Sequence, residues 1–279
     1  MSKCEHMAAL PFRKMHGLGN DFVLIDARRR NDPVTPALAR AIGDRHRGVG
    51  FDQLAVLLPG RDADVDVVFW NSDGSTAGAC GNATRCIADL LMKESGRRAV
   101  TIRTERGLLV CEALSDGRVR VDMGRPKLDW VEVPLSRAAD TVALPLPGAP
   151  HACSIGNPHC TFFVDDAMAA PLTTDGPRFE NDELFPQRTN VQFVQVIDSG
   201  HARVRVWERG VGVTLASGSS SCAVLVAGVR RGLLERRALL TLDGGEIEIE
   251  WPEGAGVLMT GPVSYVFEGV FSADLLAMS

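Results

Sequence analysis

Short apolar runs closed by Gly, Asn, Asp and Ser recur along this chain, the pattern of strands rather than of long helices. They predict strands at residues 22–26, 52–57, 65–70, 100–104, 108–113, 119–123, 160–164, 190–196 and 202–207, with a further start at 12–14. Residues 239–242 and 246–251 form a hairpin about Asp243-Gly244-Gly245, and 257–270 supplies the last strands. Helical spacing appears three times. Residues 34–46 carry Pro36 near the start, where a missing N–H costs nothing. Cys80-Gly81-Asn82 opens a second helix through Ile87, Leu90 and Leu91 to Ser95-Gly96. Ser217-Gly218 opens a third through Val224, Leu225 and Val229, with Arg230-Arg231 in the last turn as the helix dipole prefers. Residues 15–21 and 154–159 read as turns, 125–150 is proline-rich without a period, and 1–10 reads as an extension.

The elements come twice. Asn20 and Asn157, Gln53 and Asn190, Asn71 and Glu208, Cys80 and Ser217, and Gly107 and Gly244 are each 137 residues apart. Such a shared offset predicts two copies of one unit, each leading through a small-residue loop into a helix. Domains are expected at 1–126 and 127–279, the last strand or tail packing back on the first.

Composition narrows the class. At 279 residues, 45% hydrophobic and 23% charged, the chain is globular and long enough for two cores. A net charge of −5 argues against nucleic acid or an anionic membrane as the main partner. No signal peptide or membrane-length apolar run is legible, so a cytoplasmic location is expected. The cysteines, at 4, 80, 86, 111, 153, 160 and 222, lack the spacing of a zinc site and read as thiols. The four lysines (3, 14, 93 and 127) sit in none of the motif turns, which argues against a pyridoxal Schiff base. No cofactor and no metal are expected.

The chemistry concentrates where the two copies begin their central helices. A helix start presents unpaired amides and a positive dipole end, a setting for a carboxylate. Gly81 and Gly218 allow close approach to the backbone. A cysteine there has a lowered pKa, which makes Cys80 a candidate base. A partner acting on the opposite face gives proton removal and redelivery at a Cα. The blander readings are that Asn20, Asn71 and Asn157 cap turns, that Glu208-Arg209 is a surface pair, and that the serines at 219–221 cap a helix.

Met15-His16-Gly17-Leu18-Gly19-Asn20-Asp21-Phe22 and Asn71-Ser72-Asp73-Gly74-Ser75 with Cys80-Gly81-Asn82-Ala83-Thr84-Arg85-Cys86 resemble the diaminopimelate epimerase family. So do Gly156-Asn157-Pro158-His159 and Glu208-Arg209-Gly210-Val211-Gly212, and the likeness runs from about residue 12 to 270. The resemblance implies an α+β fold of two pseudo-symmetric domains, each a curved sheet or barrel around a central helix. It implies cofactor-independent two-base epimerisation of LL- and meso-diaminopimelate, and a homodimer. It implies that Cys80 and the residue at 217 are the acid/base pair. Gly81, Asn82, Gly218 and Ser219 would contact the reacting carboxylate. Asn20, Gln53, Asn71, Asn157, Asn190, Glu208 and Arg209 would bind the rest of the substrate, and His159 would line the pocket.

The departure is Ala216-Ser217-Gly218-Ser219-Ser220, where the family pattern is Ala-Cys-Gly-Thr-Gly. A serine hydroxyl is far less acidic than a thiol. Three explanations stand: a subgroup in which serine or water completes the relay, an engineered substitution, or a chemistry one base can do, such as racemisation or dehydration of another amino acid. The altered neighbours at 219–221 speak for the first. A catalytically dead diaminopimelate-binding protein is the alternative outside catalysis.

Overall fold

The computed structural model describes residues 9–78 and 80–277; Cys4 and residues 1–8 of the expected extension lie outside them. One compact unit takes the described residues of Met1–Gly17, Asp21–Ala113 and Val263–Ser279. The other takes Leu18–Asn20 and Leu114–Pro262. Along the chain, the first unit supplies β1 (Pro11–Gly17), β2 (Asn20–Asp26), α1 (Pro36–Gly43), β3 (Gln53–Pro59), β4 (Val65–Asn71), β5 (Thr76–Ala77), α2 (Gly81–Ser95), β6 (Ala99–Thr104) and β7 (Gly107–Ala113). The second unit has β8 (Val119–Asp122), β9 (His151–Ser154), β10 (Pro158–Phe163), α3 (Leu172–Glu180), β11 (Asn190–Asp198), β12 (His201–Glu208) and β13 (Gly212–Thr214). It continues with α4 (Gly218–Arg230), β14 (Arg237–Leu242), β15 (Gly245–Glu250) and β16 (Leu258–Gly261). The chain then returns to the first unit with β17 (Ser264–Val270) and α5 (Ala273–Leu276).

The strand pairings of the two units repeat each other in register. Parallel β2 and β3 set Phe22 opposite Gln53; parallel β10 and β11 set His159 opposite Asn190. Leu54 faces Trp70 as Val191 faces Trp207, and Phe69 faces Ala77 as Val206 faces Thr214. The helices α2 and α4 begin at Gly81 and Gly218, again 137 apart. One landmark slips. The sharp turn of β6–β7 pairs Thr104 with Gly107 at φ 130°, whereas β14–β15 pairs Leu242 with Gly245 at φ 133°. The structural counterpart of Gly107 is therefore Gly245, not Gly244, because the second copy carries one extra residue between its helix and this hairpin.

In the second unit α4 is buried without a break from Ser220 to Gly228. A helix apolar all round belongs inside a core. It packs against β9, β10, β11, β14, β15 and β16, so the sheet curls around it. In the first unit α2 buries Asn82 through Ala88 and packs on β1, β6 and β7. Separate clusters hold the outer helices: Leu38, Ala39 and Ile42 of α1 against Val23, Ile25 and Leu54, and Leu172 and Phe179 of α3 against Phe162 and Phe193.

Three local expectations change. The turn expected over 15–21 is only Leu18-Gly19, at φ 56° and 80°, with β1 running up to it. Pro158 and His159 belong to β10 rather than to a turn. Helix α3 was not legible, because Gly176 and Pro177 read as breakers. Gly176 is required there: a Cβ would meet the Trp207 ring at 2.6 Å. No helix among the described residues is long and apolar enough to cross a membrane.

At the far end of α4, Arg230 Nη1 bonds His151 Nε2 at 3.0 Å and Thr141 Oγ1 at 3.1 Å. An arginine only donates, so His151 must accept and stay neutral. Burial first, then Arg230 and Arg231, push His151 from 6.5 down to about 3. Its folded pKa lies below its unfolded one, so its contribution is full above pH 6.5 and falls away as pH drops towards 3. Urea midpoints measured from pH 7 to 4 are expected to fall, and to fall less in His151→Gln.

Candidate functional site

Each unit places one predicted acid/base residue at the position before a central helix. Cys80 precedes α2 at φ −144° and ψ 107°, and Ser217 precedes α4 at φ −136° and ψ 117°. Both backbones are extended, and each carbonyl is held by the residue four positions on. The Cys80 carbonyl accepts from Thr84 N at 2.9 Å and Thr84 Oγ1 at 2.8 Å. The Ser217 carbonyl accepts from Ser221 N at 3.0 Å and Ser221 Oγ at 2.8 Å. Thr84 and Ser221 are also 137 apart, a signal that the sequence carries.

The two side chains differ. The Cys80 thiol accepts from Ala83 N at 3.5 Å, on the first turn of α2. The Ser217 hydroxyl makes no capping bond, and the residue is 4% exposed. The serines after it are not a capping cluster either: Ser220 and Ser219 bond out to β11 and to the Asn157 turn. Cys80 is half-buried, whereas Cys86, Cys111 and Cys153 are buried thiols pushed up to about 12 by desolvation. Thiols of that kind are poor nucleophiles and poor bases at neutral pH.

In the first unit Gly81 and Asn82 follow Cys80 at the start of α2, and Gln53 stands opposite Asn71 on neighbouring strands. Asn82 is 2% exposed, and its Oδ1 accepts from Arg85 Nη1 at 2.9 Å. Arg85 is fully buried, and Gly17 makes room for it, since a Cβ there would stand 2.8 Å from Nη2. Asn71 holds its own turn, donating Nδ2 to Ser75 Oγ at 3.0 Å while its N–H bonds Ser75 O at 2.8 Å. Asn20, buried at the head of β2, is counted with the second unit.

In the second unit a buried chain of side chains leads to the start of α4. Thr161 Oγ1 donates to Gln192 Oε1 at 3.0 Å. Gln192 Nε2 then donates to Ser220 Oγ at 3.1 Å and to His159 Nδ1 at 3.1 Å. With Nδ1 accepting, the His159 proton is on Nε2, which donates to Asn157 Oδ1 at 3.0 Å. Asn157 Nδ2 completes the chain, pointing at Ser219 Oγ at a long 3.5 Å. His159, Thr161, Gln192 and Ser220 are all fully buried. Sequence reasoning found Asn157, His159 and Ser219 but missed Gln192, Thr161 and Ser220, which no spacing rule marks.

Asn190 is 3% exposed and bridges two backbones: Nδ2 donates to Pro158 O at 2.9 Å and Oδ1 accepts from Arg209 N at 3.1 Å. Arg209 Nη1 donates to Gln187 O at 3.0 Å. Burial and the charge of Arg188 lower the Arg209 pKa, Glu180 opposing them, and the guanidinium remains a cation. Glu208 ends β12 opposite Gly212, and its carbonyl accepts from Val211 N at 3.0 Å.

Comparison with known proteins gives a consistent picture. A family model described as diaminopimelate epimerase matches residues 12–128 and 151–266. The diaminopimelate epimerase of Rhodospirillum centenum is 54% identical over 271 residues, covering 95% of this chain and 93% of that one. The diaminopimelate epimerase of Acidiphilium cryptum is 50% identical over 274 residues, covering 97% and 99%. A solved structure described as a predicted epimerase from Pseudomonas aeruginosa aligns with a TM-score of 0.70 at 17% identity, over 94% of this chain and 99% of that one. That last likeness shows the fold.

The buried chain makes one stability test. Gln192→Leu removes both hydrogen bonds that orient His159 and Thr161, and a buried polar group left unsatisfied costs about 1–3 kcal/mol. Urea unfolding is expected to show a loss of that size. Imidazole ¹⁵N spectra should show His159 losing its single Nε2–H tautomer, and an unchanged spectrum would contradict the arrangement.

Proposed function

The chain belongs to the diaminopimelate epimerase family, and we propose that it interconverts LL- and meso-diaminopimelate by proton transfer at one Cα. The observation that carries the reading is 54% and 50% identity to two curated diaminopimelate epimerases, each over almost the full length of both chains. The equivalent helix starts at Cys80 and Ser217 support it with a chemistry.

Cys80 takes the Cα proton from one face, aided by the positive end of α2. The C–H electron pair moves into the adjacent carboxylate, giving an enediolate-like charge. Amides at Gly81, Asn82, Gly218 and Ser219 stabilise that charge where it develops. A proton is then delivered to the opposite face from the Ser217 side, by its hydroxyl or by a water bound to it. The reverse reaction exchanges the roles, and the proton count balances. Asn20, Gln53, Asn71, Asn157, Asn190, Glu208 and Arg209 hold the remaining amine and carboxylates, with His159 setting the orientation of Asn157. Arg209 serves the distal carboxylate and Glu208 an amine. The proposal includes a homodimer, whose sedimentation mass would be twice the 30.0 kDa of one chain.

Serine at 217 favours one further reading. With a single strong base the same fold can act on another amino acid, by racemisation or by dehydration of a hydroxy amino acid, or can bind diaminopimelate without turning it over. Steady-state kinetics separate these. A positioned proton-transfer group is worth about 10²–10⁴ in rate, so Ser217→Cys is expected to raise kcat by about that range in both directions together. Cys80→Ala is expected to abolish epimerisation. Full activity in Cys80→Ala would remove Cys80 from the mechanism, and a Ser217→Cys variant that stays inactive would favour the other chemistries.

A further inference from the structure

Glu180 is a carboxylate that the mechanism does not use. It ends α3, its side chain is 6% exposed, and three donors converge on it. Oε2 accepts from Trp207 Nε1 at 2.6 Å. Oε1 accepts from Gly210 N at 2.8 Å and from Arg188 Nη1 at 3.1 Å. Trp207 and Gly210 flank Glu208 and Arg209 on either side. One buried carboxylate therefore grips the chain just before and just after that pair. On the same helix Gly176 lets the Trp207 ring lie against the backbone, so Trp207 is fixed at both its face and its N–H.

The repeat shows that this junction is a built one. Subtracting 137 from 180 gives 43, and Gly43 ends α1. There the helix end meets the equivalent turn directly: a Cβ on Gly43 would stand 3.0 Å from Ser72 Cα, and Arg40 Nη1 reaches Asp73 O at 3.4 Å. The first unit closes its helix–turn junction by close backbone approach and one long Arg40 bond, and the second spans it with a carboxylate. A buried carboxylate is seldom retained for net stability, because desolvation offsets the attraction it gains. A charge that is fully bonded instead fixes geometry. The carboxylate also sits beside Arg188 and offsets its charge near Arg209.

We propose that Glu180 is the positioning residue for the Glu208–Arg209 turn, so that recognition of the substrate's distal carboxylate depends on it. The proposal rests on the assignment of that turn to substrate binding. Glutamine at 180 offers one acceptor oxygen where the carboxylate offers two, and its NH₂ meets an N–H donor whichever way it is turned.

The test is calorimetric titration of the full chain with meso-diaminopimelate, which reads binding whether or not turnover occurs. The proteins are wild type, Glu180→Gln, Trp207→Phe, Arg209→Ala and the Glu180→Gln/Arg209→Ala double variant, with a melting curve for each. Arg209→Ala is expected to weaken binding at least about tenfold. Glu180→Gln is expected to weaken it about tenfold in the wild type and less than about twofold in the Arg209→Ala background, since residues acting through one another are not additive. Trp207→Phe removes one of the three bonds and keeps the ring against Gly176, so it shifts binding the same way by less. Wild-type affinity in Glu180→Gln, or an equal loss in both backgrounds, overturns the proposal. Wild-type affinity in Arg209→Ala instead overturns the assignment of the turn, and the proposal with it.

Discussion

The structure depends on one small interaction made twice. The carbonyl of the residue before each central helix accepts both the amide and the hydroxyl of the residue four positions on, Thr84 for Cys80 and Ser221 for Ser217. Two bonds to one carbonyl leave that peptide little freedom. The helix must begin at Gly81 and at Gly218, and the side chains of residues 80 and 217 must leave the backbone at matching angles. Proton transfer is sensitive to position on the scale of an ångström or less, so the proposed mechanism requires a helix start fixed in this way.

The two copies share this frame but fill it differently. Residues 159, 161, 192 and 220 form the buried polar chain of the second unit; 137 residues earlier stand Phe22, Leu24, Ala55 and Ala83, all buried and apolar. The first unit fills these four positions with apolar side chains, while the second threads a hydrogen-bonded network through them. A network of this kind rigidifies when every member is satisfied and costs stability when one is missing. Its directionality, from Thr161 through Gln192 and His159 to Asn157, fixes one tautomer and one amide orientation. The same contrast holds at the outer helices, where Gly43 has Glu180 as its counterpart.

Much of this was legible in the sequence because a repeat turns weak local signals into one strong global one. The repetition of the strands, both helix starts, and the correspondence of Cys80 with Ser217 follow from a single offset. What the offset could not show was an insertion, which is why Gly107 was matched to Gly244 instead of Gly245. Helix α3 was illegible for a related reason: Gly176 serves a close tertiary approach, and local propensity sees only a breaker. Gln192 and Glu180 were missed because their role lies in partners far along the chain, Ser220 for one and Gly210 for the other. Asn190 was found as a site candidate, but its commitment to Pro158 and Arg209 backbone groups appears only in the fold.

The central proposal is two-base epimerisation, in which a proton is removed from one face of the Cα and another is returned to the opposite face. It is tested most directly by incubating the wild-type chain with LL-diaminopimelate in D₂O, following Cα–H loss by NMR and configuration by chiral chromatography. The account predicts that inverted product carries deuterium at the inverted carbon, because the delivered proton comes from a solvent-exchanging group on the second face. Deuterium appearing only in substrate of unchanged configuration would contradict it, leaving Cys80 to act alone.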